Sequence, residues 1–177
     1  MSKLRVAFFD FASCEGCQLQ IADLEEEILD LINIVDVVSF REVMKEHSDD
    51  YDIAIIEGSI NRPMDEELIK QIREKAKILV AFGACAAIGG VNKIRNQWDA
   101  ENVKKDVYGD AKLNGNKYFD VYPTKAVDEV VKVDYYIYGC PINRDEFKKV
   151  VTSLVMGKKP EIPSYPVCVE CKKNENV

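Results

Sequence analysis

Four of the six cysteines follow short apolar segments that have the composition of β-strands. Cys14 and Cys17 lie in the sequence SCEGC, Cys85 lies in GACAAIGG, and Cys140 lies in YGCPI. Thiolates bind soft metal ions and iron–sulfur clusters, and small neighbouring residues let the backbone approach inorganic sulfide closely. Four such thiols in a chain with a single histidine therefore indicate a bound inorganic centre.

From the residues alone, three kinds of cysteine site remain open. An iron–sulfur cluster would use all four thiols. A dithiol redox site would use only Cys14 and Cys17, a CxxC that opens a predicted helix, and would leave the others as small core residues. A structural zinc would pair these two with the second CxxC, Cys168 and Cys171, although about 150 residues separate the pairs and compact zinc sites have about 15 to 20. The cluster accounts for the most cysteines.

Length and charge limit the classes of protein that fit. A chain of 177 residues is long enough for one domain with a substantial core. Its net charge of −7 argues against nucleic acid as a partner, because phosphates would be repelled. No apolar run reaches the roughly 18 to 20 residues that span a bilayer. Residues 4–9 alternate like a strand and do not resemble a signal peptide, so we expect a cytoplasmic protein without structural disulfides.

Five apolar or β-branched segments predict strands, and helical patterns lie between them. The predicted strands are residues 4–10, 34–40, 52–57, 77–82 and 134–138. Because nearly continuous apolar strands alternate with helices, we expect an α/β fold with a flavodoxin-like, doubly wound parallel sheet. Ligands of such sheets gather beyond the carboxyl ends of the strands, which is where the four cysteines should lie.

Apolar spacing predicts three helices around this sheet. Pro63 is expected in the first turn of one helix, with Leu68 and Ile72 in its core stripe. Asn143 is expected to cap the last helix, which ends at Gly157. The helix after the first cysteine pair has the longest apolar stripe: Ile21, Leu24, Ile28, Leu31 and Ile32.

Two segments depart from this alternation. Residues 92–132 form a long insertion before the last strand, and insertions of this length usually carry a binding function or are partly disordered. From Lys158 the sequence becomes rich in proline and predicts an irregular C-terminal tail. We therefore expect a flavodoxin-like iron–sulfur domain over residues 1–158 and a tail over residues 159–177.

Other chemistry has little support in the sequence. His47 is the single histidine and lies in the charged turn KEHSDD, so hydrolytic mechanisms lack a credible base. No GxGxxG follows a strand, and the first βα loop offers no phosphate cradle. Glu57, in EGSI after the third predicted strand, should reach the same edge as the cysteines. It is either an ordinary loop carboxylate or a residue near the cluster.

The motifs SCEGCQ, EGSI, GACAAIGG, YGCPIN and CVECK occur in this order along essentially the whole chain. Together they resemble the small subunit of nickel–iron hydrogenases, especially the cytoplasmic group with the methanogen hydrogenases and the sulfhydrogenase delta subunit. The resemblance implies a flavodoxin-like domain that binds one 4Fe–4S cluster beside the catalytic large subunit. The implied cluster ligands are Cys14, Cys17, Cys85 and Cys140.

This resemblance implies an electron-transfer subunit that carries electrons to or from the large subunit, which would hold the nickel–iron site. Further electron-transfer subunits are implied as partners. The alternatives are a subunit of a complex I-like quinone oxidoreductase and a zinc-stabilised binding module without redox activity. The 20 kDa subunit of respiratory complex I is related, but its first motif has adjacent cysteines where this chain has CxxC.

The tail departs from the pattern of the hydrogenases that it resembles. In those proteins a CxxC similar to Cys168 and Cys171 begins a C-terminal region with further cysteines for additional clusters. Residues 159–177 contain only this pair. We therefore expect the tail to be the start of an incomplete cluster region, and the pair to bind no cluster in this chain.

Overall fold

The computed structural model describes residues 3–109, 111, 113, 116–162, 165 and 167–176. Five strands form one sheet: β1 (Leu4–Asp10), β2 (Val35–Ser39), β3 (Ile53–Glu57), β4 (Ile78–Phe82) and β5 (Tyr135–Ile137). All neighbours are parallel, in the order β2-β1-β3-β4-β5. This is the flavodoxin-like order, so the predicted fold class is confirmed. Each strand lies within its predicted segment.

The helices fill the connections between these strands. Those of the described residues are α1 (Gly16–Ala22), α2 (Glu27–Ile34), α3 (Pro63–Lys75), α4 (Gly83–Ile88), α5 (Ala100–Tyr108), α6 (Arg144–Val155) and α7 (Val167–Lys173). Short 3-10 helices occur at Val91–Gln97, Lys117–Phe119 and Val127–Glu129. Within this described part, we find no helix with the length and apolar character that crossing a bilayer requires.

The sheet has an apolar core on each face. On one face, α1, α2 and α6 cover a core in which Phe82 lies between Phe8 and Phe147, with ring centroids 6.3 and 5.5 Å away. On the other face, α3 covers a second core that includes Ile56 and Leu79. All five residues of β3 are buried, as expected for the central strand of a parallel sheet.

The first cysteine segment leads into two helices where the apolar spacing predicts one. A turn at residues 23–26 separates α1 from α2, and Glu25 within it has a left-handed φ of 53°. A residue in that conformation interrupts a right-handed helix. Ile21 and Leu31 are buried as predicted, whereas Ile32, on the rotated second helix, is 44% exposed.

The buried face of α3 is rotated from the predicted stripe. Leu68, which the sequence places in the core, is 45% exposed, and Ile69 is fully buried in its place. The cause is Asp65, whose buried carboxylate accepts hydrogen bonds of 2.7 and 3.0 Å from the Arg62 guanidinium. Because a paired carboxylate can be buried, the inner face runs through Asp65, Ile69 and Ile72.

The termini of α6 agree with the prediction. Asn143 Oδ1 accepts hydrogen bonds from the backbone N–H groups of Asp145 and Glu146 at 2.8 and 3.1 Å. Gly157, just beyond the helix, has a φ of 67°, the left-handed conformation that commonly ends helices. The predicted apolar stripe is buried: Phe147, Val150, Val151 and Leu154.

Replacement of Asn143 by alanine should lower the free energy of unfolding by about 1 kcal/mol, because two N–H groups at the start of α6 lose their acceptor. The measurement is the urea midpoint at an unchanged dependence on urea concentration. Asn33→Ala, at an exposed position inside α2, is the matched control and should change the free energy by less than about 0.5 kcal/mol. Equal losses in both variants would contradict the capping role.

The insertion and the tail contain more regular structure than the sequence predicts. Within residues 92–132, the Asp99 side chain accepts from the N–H groups of Glu101 and Asn102 and so begins α5. In the tail, which we expect to be irregular, α7 ends in lysines, a charge that the helix dipole favours there. In these two segments, residues 110, 112, 114, 115, 163, 164, 166 and 177 lie outside the described residues.

The amino-terminal edge of the sheet is held by charged groups. Asp52 accepts hydrogen bonds from the Arg5 backbone N–H at 3.0 Å and from the Arg5 guanidinium at 3.2 Å, and Lys77 Nζ lies 2.8 Å from it. These partners hold the pKa of the Asp52 carboxyl well below its usual range. The interactions join β1, β3 and the start of β4 at the edge remote from the cysteines.

Candidate metal centre

The carboxyl ends of four adjacent strands lie side by side. In the sheet register, Asp10 of β1 pairs with Glu57 of β3, Glu57 with Phe82 of β4, and Phe82 with Ile137 of β5. Each cysteine-bearing segment begins within a few residues of one of these positions. The register therefore brings all three segments to one edge of the sheet, which is where parallel sheets bind ligands.

The SCEGC segment is fixed to the end of β3. Ala12 and Ser59 exchange two backbone hydrogen bonds of 3.2 and 2.9 Å, and Asn92 Nδ2 donates to the Ala12 carbonyl at 2.7 Å. Glu15 has a left-handed φ of 61° and directly precedes α1. The chain therefore turns sharply at Glu15 and enters the helix from a firmly held loop.

Cys17 lies in the first turn of α1 and is buried. Its backbone N–H and that of Gln18 donate to the Glu57 carboxylate at 3.1 and 2.9 Å, so a side chain from β3 caps the helix. The Ile142 backbone N–H lowers the pKa of the Cys17 thiol, so the segment after β5 lies next to this cysteine. Burial first, and then the charge of Glu57, raises the pKa of Cys17 to about 12.

Cys85 follows β4 and Cys140 follows β5, so both lie at the same edge of the sheet as Cys17. Cys85 lies in α4, which starts directly after β4, and the Ala84 N–H donates to the Gly139 carbonyl at 2.7 Å. Burial raises the pKa of the Cys85 thiol, and the nearby charges of Cys140 and Cys14 raise it further. Because such charges act over short distances, the structure brings together thiols from three loops. We call the four cysteines the thiol site.

The members of the thiol site differ in exposure. Cys17 is buried and Cys85 is half-buried, whereas Cys14 and Cys140 are exposed. All six cysteines of the chain are free thiols. The thiol site is therefore shallow, with one side embedded in the sheet edge and the other open to the surface.

Glu57 belongs to the immediate surroundings of the thiol site. Only 2% of its surface is exposed, and its carboxylate is the acceptor that orients the first turn of α1. Burial raises the pKa of Glu57, while the N–H donors of Cys17 and Gln18 oppose that rise. Glu57 is therefore the last residue of β3 and lies beside Cys17, and its role near a cluster stays a prediction.

Comparison with known proteins places the chain in a family. The family model described as NADH ubiquinone oxidoreductase, 20 Kd subunit, matches residues 14–154. This match begins at the first cysteine of the thiol site and ends within α6. The chain belongs to this family. Its membership agrees with the resemblance that the motifs show.

Several relatives of this chain have the names of hydrogenase subunits. The chain is 32% identical over 186 residues to a subunit of the F420-non-reducing hydrogenase vhu of Methanococcus voltae, covering 99% of this chain and 64% of the relative. It is 30% identical over 173 residues to sulfhydrogenase 2 subunit delta of Pyrococcus furiosus, covering 97% and 70%. The chain thus spans less than two thirds of the Methanococcus relative.

A solved structure shares the fold at similar identity. One chain in a crystal structure of an NAD+-reducing NiFe-hydrogenase, in the H2-reduced state, superposes with a TM-score of 0.79 at 30% identity. The superposition covers 92% of this chain and 96% of that chain. The flavodoxin-like architecture is therefore shared with a hydrogenase component over nearly its full length.

The surroundings of the thiol site in this family member suit an inorganic cluster. A methyl group added at Gly16 would lie 3.3 Å from Cys14 Sγ, one at Gly90 would lie 3.0 Å from Cys85 Sγ, and one at Gly83 would collide with the Cys17 sulfur. Gly83 and Gly90 also have left-handed φ values of 84° and 53°. The glycines thus keep space around three sulfurs that a side chain would fill.

Two buried polar atoms next to cysteines in the sequence support the same fit. Ser13 Oγ and Gln18 Nε2 have no hydrogen-bond partner within the described structure. Hydrogen-bond donors near thiolate and sulfide atoms are a usual feature of iron–sulfur sites. Gln18, 1% exposed, is a residue that sequence reasoning missed, because glutamine is normally at the surface and belongs to no apolar pattern.

The origin of the thiols bears on the kind of inorganic centre that they could hold. Among the described residues, no three His, Cys, Asp or Glu side chains converge as a single metal ion requires. Zinc needs its donors about 2.0–2.3 Å away. A 4Fe–4S cluster binds one thiolate at each of four irons, so its ligands stand further apart. Cysteines from three separate loops suit the second arrangement better.

Cys168 and Cys171 lie apart from this arrangement. Both are exposed on α7, where a spacing of three residues places them on one face of the helix. The second CxxC therefore does not belong to the segments that the sheet register brings to one edge.

Proposed function

We propose that this chain is the electron-transfer subunit of a nickel–iron hydrogenase and that it holds one 4Fe–4S cluster. The proposed ligands are the thiolates of Cys14, Cys17, Cys85 and Cys140, one for each iron. The hydrogen-activating nickel–iron site is proposed to lie on a partner chain, the large subunit. Electrons would pass between that site and further electron-transfer subunits through this chain.

The observation that carries the proposal is the convergence of three strand ends on one set of thiols. Cys85 is close enough to Cys14 and Cys140 for their charges to raise its pKa. Cys17 lies close enough to the backbone N–H of Ile142, two residues beyond Cys140, for that group to lower its pKa. Family membership and the hydrogenase names of the relatives support the same conclusion.

Groups of this chain around the proposed cluster would set its reduction potential. When bound, a 4Fe–4S cluster carries single electrons at a potential between about −700 and +450 mV, depending on charge, hydrogen bonds and burial. The backbone N–H of Ile142, which lies near the Cys17 thiol, would favour the more negative, reduced state. The buried Glu57 carboxylate disfavours that state by charge repulsion. Exposed Cys14 and Cys140 form the side that faces a partner.

An apolar surface beside Cys85 supports the proposed contact with the large subunit. Ile88, at the end of α4, and Val91, Ile94 and Trp98, in the 3-10 helix and directly after it, are each more than half exposed. Exposed apolar residues that lie together often mark interfaces between subunits. Ile94 and Trp98 of this surface lie at the start of the insertion, residues 92–132. We therefore propose that the insertion contributes to the interface.

The position of Cys85 and Cys140 disfavours the dithiol alternative. A redox pair of Cys14 and Cys17 would leave these two cysteines without a role, although the sheet register brings their segments to the same edge. Burial and Glu57 raise the pKa of Cys17 to about 12. Such a thiol would become a thiolate at neutral pH when a cation compensates its charge, as bound iron does.

A subunit of a complex I-like quinone oxidoreductase is the second candidate function. The description of the matching family model favours it. Against it stands the first cysteine motif, in which Cys14 and Cys17 are separated by two residues. The zinc-stabilised binding module remains the candidate without redox activity.

The decisive experiment combines metal analysis with identification of the partner. Protein purified anaerobically from its native host should be brown, absorb broadly near 400 nm and contain about four irons and four sulfides per chain. It should co-purify with a nickel-containing chain and reduce a viologen dye with hydrogen. Colourless protein with zinc would favour the binding module. A quinone-reducing partner without nickel would favour the second candidate.

The tail should hold no cluster in this chain. We expect the double variant Cys168→Ser/Cys171→Ser to keep about four irons and an unchanged resonance spectrum of the reduced protein. The reason is that two exposed thiols on one short helix supply half of the ligands that a cubane needs. Iron assay and electron paramagnetic resonance make the comparison. A fall from about eight irons to four would show that the tail binds a second cluster.

We further propose a cytoplasmic location and a functional boundary near residue 158. Six free cysteines suit a reducing compartment. The proposed iron–sulfur domain, residues 1–158, includes all five strands and the thiol site, whereas residues 159–177 contain α7. In this division the tail is the start of a separate C-terminal region.

A further inference from the structure

Arg41 links the SCEGC segment to the end of β1. It lies in the segment that follows β2, and its Nη2 atom is 3.0 Å from Asp10 Oδ2 and 3.3 Å from Glu15 Oε1. Asp10 is the last residue of β1, and Glu15 stands between the first two cysteines. Among the described residues, no other ion pair reaches residues 10–18. One guanidinium therefore joins this cysteine loop to the sheet.

The turn that carries Arg41 is firmly held. Phe40, which directly precedes it, is buried, and its ring stacks on that of Phe8 in β1 with the ring centroids 4.4 Å apart. The Phe40 carbonyl accepts hydrogen bonds of 3.0 and 2.9 Å from the backbone N–H groups of Val43 and Met44. The backbone at Arg41 is thus fixed against β1, although its side chain is 69% exposed.

The backbone conformation of Glu15 is an independent reason to expect a role for its side chain. Its φ of 61° is in the left-handed region, which costs a residue with a side chain about 1–2 kcal/mol and is freely available to glycine. A glycine at this position would relieve the strain but would lose the contact with Arg41. Strained residues of this kind are concentrated at functional sites. The ion pair thus gives a physical reason for a glutamate in this turn.

Arg41 also brings positive charge to a region of carboxyl groups. Asp10 pairs in the sheet register with Glu57, whose carboxylate accepts a hydrogen bond from the Cys17 N–H. Burial raises the pKa of Asp10, and the charge of Arg41 opposes that rise. Asp10, Glu15 and Glu57 therefore place three carboxyl groups around the SCEGC segment. The ion pairs within the described chain bring a single cation to them.

We propose that Arg41 is a positioning residue that holds the SCEGC segment through Glu15 and raises the reduction potential of the cluster by its charge. This inference rests on the proposed function, because the potential is that of the proposed 4Fe–4S cluster. A nearby positive charge favours the reduced cluster, which carries one electron more than the oxidised one. Because the Arg41 side chain is largely exposed, dissolved salt should screen its effect.

A charge series at position 41 tests the effect on the potential. The measurement is a potentiometric titration of the anaerobically purified chain, followed by electron paramagnetic resonance. Arg41→Gln should have a more negative midpoint potential than the wild type and Arg41→Glu a still more negative one, whereas Arg41→Lys should keep most of the wild-type value. The shift in Arg41→Gln should shrink at about 1 M salt. Unchanged potentials, or a shift that salt does not reduce, would overturn the proposal.

Lys75→Gln is the matched control, because it removes the same charge from an ion pair far from the cysteines. Lys75 is the last residue of α3, and its Nζ atom lies 2.9 Å from Asp49 Oδ2. β4 begins at Ile78, so this pair belongs to the amino-terminal edge of the sheet. The control should shift the potential by less than half as much as Arg41→Gln. Equal shifts would reflect net charge alone and would overturn the proposal.

Amide hydrogen exchange of the purified chain tests the hold on the SCEGC segment separately. The N–H groups of residues 13–18 should exchange roughly threefold faster or more in Arg41→Gln and in Glu15→Ala, while those of β3 keep the wild-type rate. The double variant should exchange no faster than either single variant, because both remove the same interaction. Unchanged exchange or additive effects would overturn the proposal. Wild-type protein without iron would instead refute the proposed function, and amide exchange would still decide whether Arg41 holds the segment.

Discussion

Cys85→Ser should remove the 4Fe–4S cluster or convert it to a form with less iron. Cys85 is the half-buried thiol whose pKa responds to the charges of Cys14 and Cys140. A serine oxygen is a poorer ligand for iron than a thiolate, and no other cysteine of the described structure lies in position to replace Cys85. Iron should fall from about four per chain to three or fewer, with loss of the wild-type resonance spectrum.

The same substitution should also destabilise the fold, because ligand binding and folding are coupled. Cys140→Ser should have the same effect from a different loop. Cys168→Ser, an exposed cysteine outside the thiol site, is the matched control and should keep the full iron content. Wild-type iron in Cys85→Ser or Cys140→Ser would refute the ligand assignment.

Glu57→Ala should lower the free energy of unfolding by about 2–4 kcal/mol. The substitution leaves the N–H groups of Cys17 and Gln18 without an acceptor at a buried helix terminus, at about 1–3 kcal/mol for each unsatisfied group. The first turn of α1 would also lose the contact that orients Cys17, so iron content should fall. Urea midpoints and iron assays on anaerobically prepared protein measure the two effects.

Glu57→Gln distinguishes the capping role from the effect of charge. Glutamine keeps one of the two acceptor oxygens but places an NH2 group towards the other N–H donor, so this variant should lose less stability than the alanine variant without matching the wild type. It removes a negative charge from the surroundings of the thiol site, which should raise the reduction potential. A potentiometric titration followed by electron paramagnetic resonance measures that shift. A lowered potential would contradict the proposed repulsion, and equal stability losses would contradict the cap.

The strands and the convergence of the cysteines could be predicted because each depends on a strong local signal. β3 and β4 are runs of apolar residues flanked by helical patterns, which identifies a parallel sheet. In such a sheet the carboxyl ends meet at one edge. Residues that follow strands, such as Cys85 and Cys140, must therefore come together whatever the details of the loops.

Buried polar residues account for what could not be predicted. Asp65 has the side chain of a surface residue and is buried because Arg62 pairs with it, which rotates α3 and exposes Leu68. Gln18 is buried beside Cys17 for reasons that only the packed site reveals. Hydrophobic periodicity assigns polar residues to water, so it fails where a polar residue is buried with a partner or beside a functional site.

The exposure of Ile32 depends on an interruption that the sequence pattern did not reveal. A single continuous helix would have placed Ile32 in the core with Ile21 and Leu31. The turn at Glu25 rotates the second helix and leaves Ile32 exposed. The position of that turn follows from one left-handed residue, a conformation that local propensity disfavours for glutamate.

Because three distant loops form the thiol site, its cysteines can come together only late in the synthesis of the chain. Cys14 and Cys140 are 126 positions apart and meet only when β5 has paired with β4. Closing so long a loop carries an entropic cost, which makes this pairing a late step. A nascent chain that has not yet reached residue 140 contains three of the four proposed cluster ligands. Iron and sulfide should therefore be incorporated after β5 emerges, and a brown subunit would be one whose sheet is already complete.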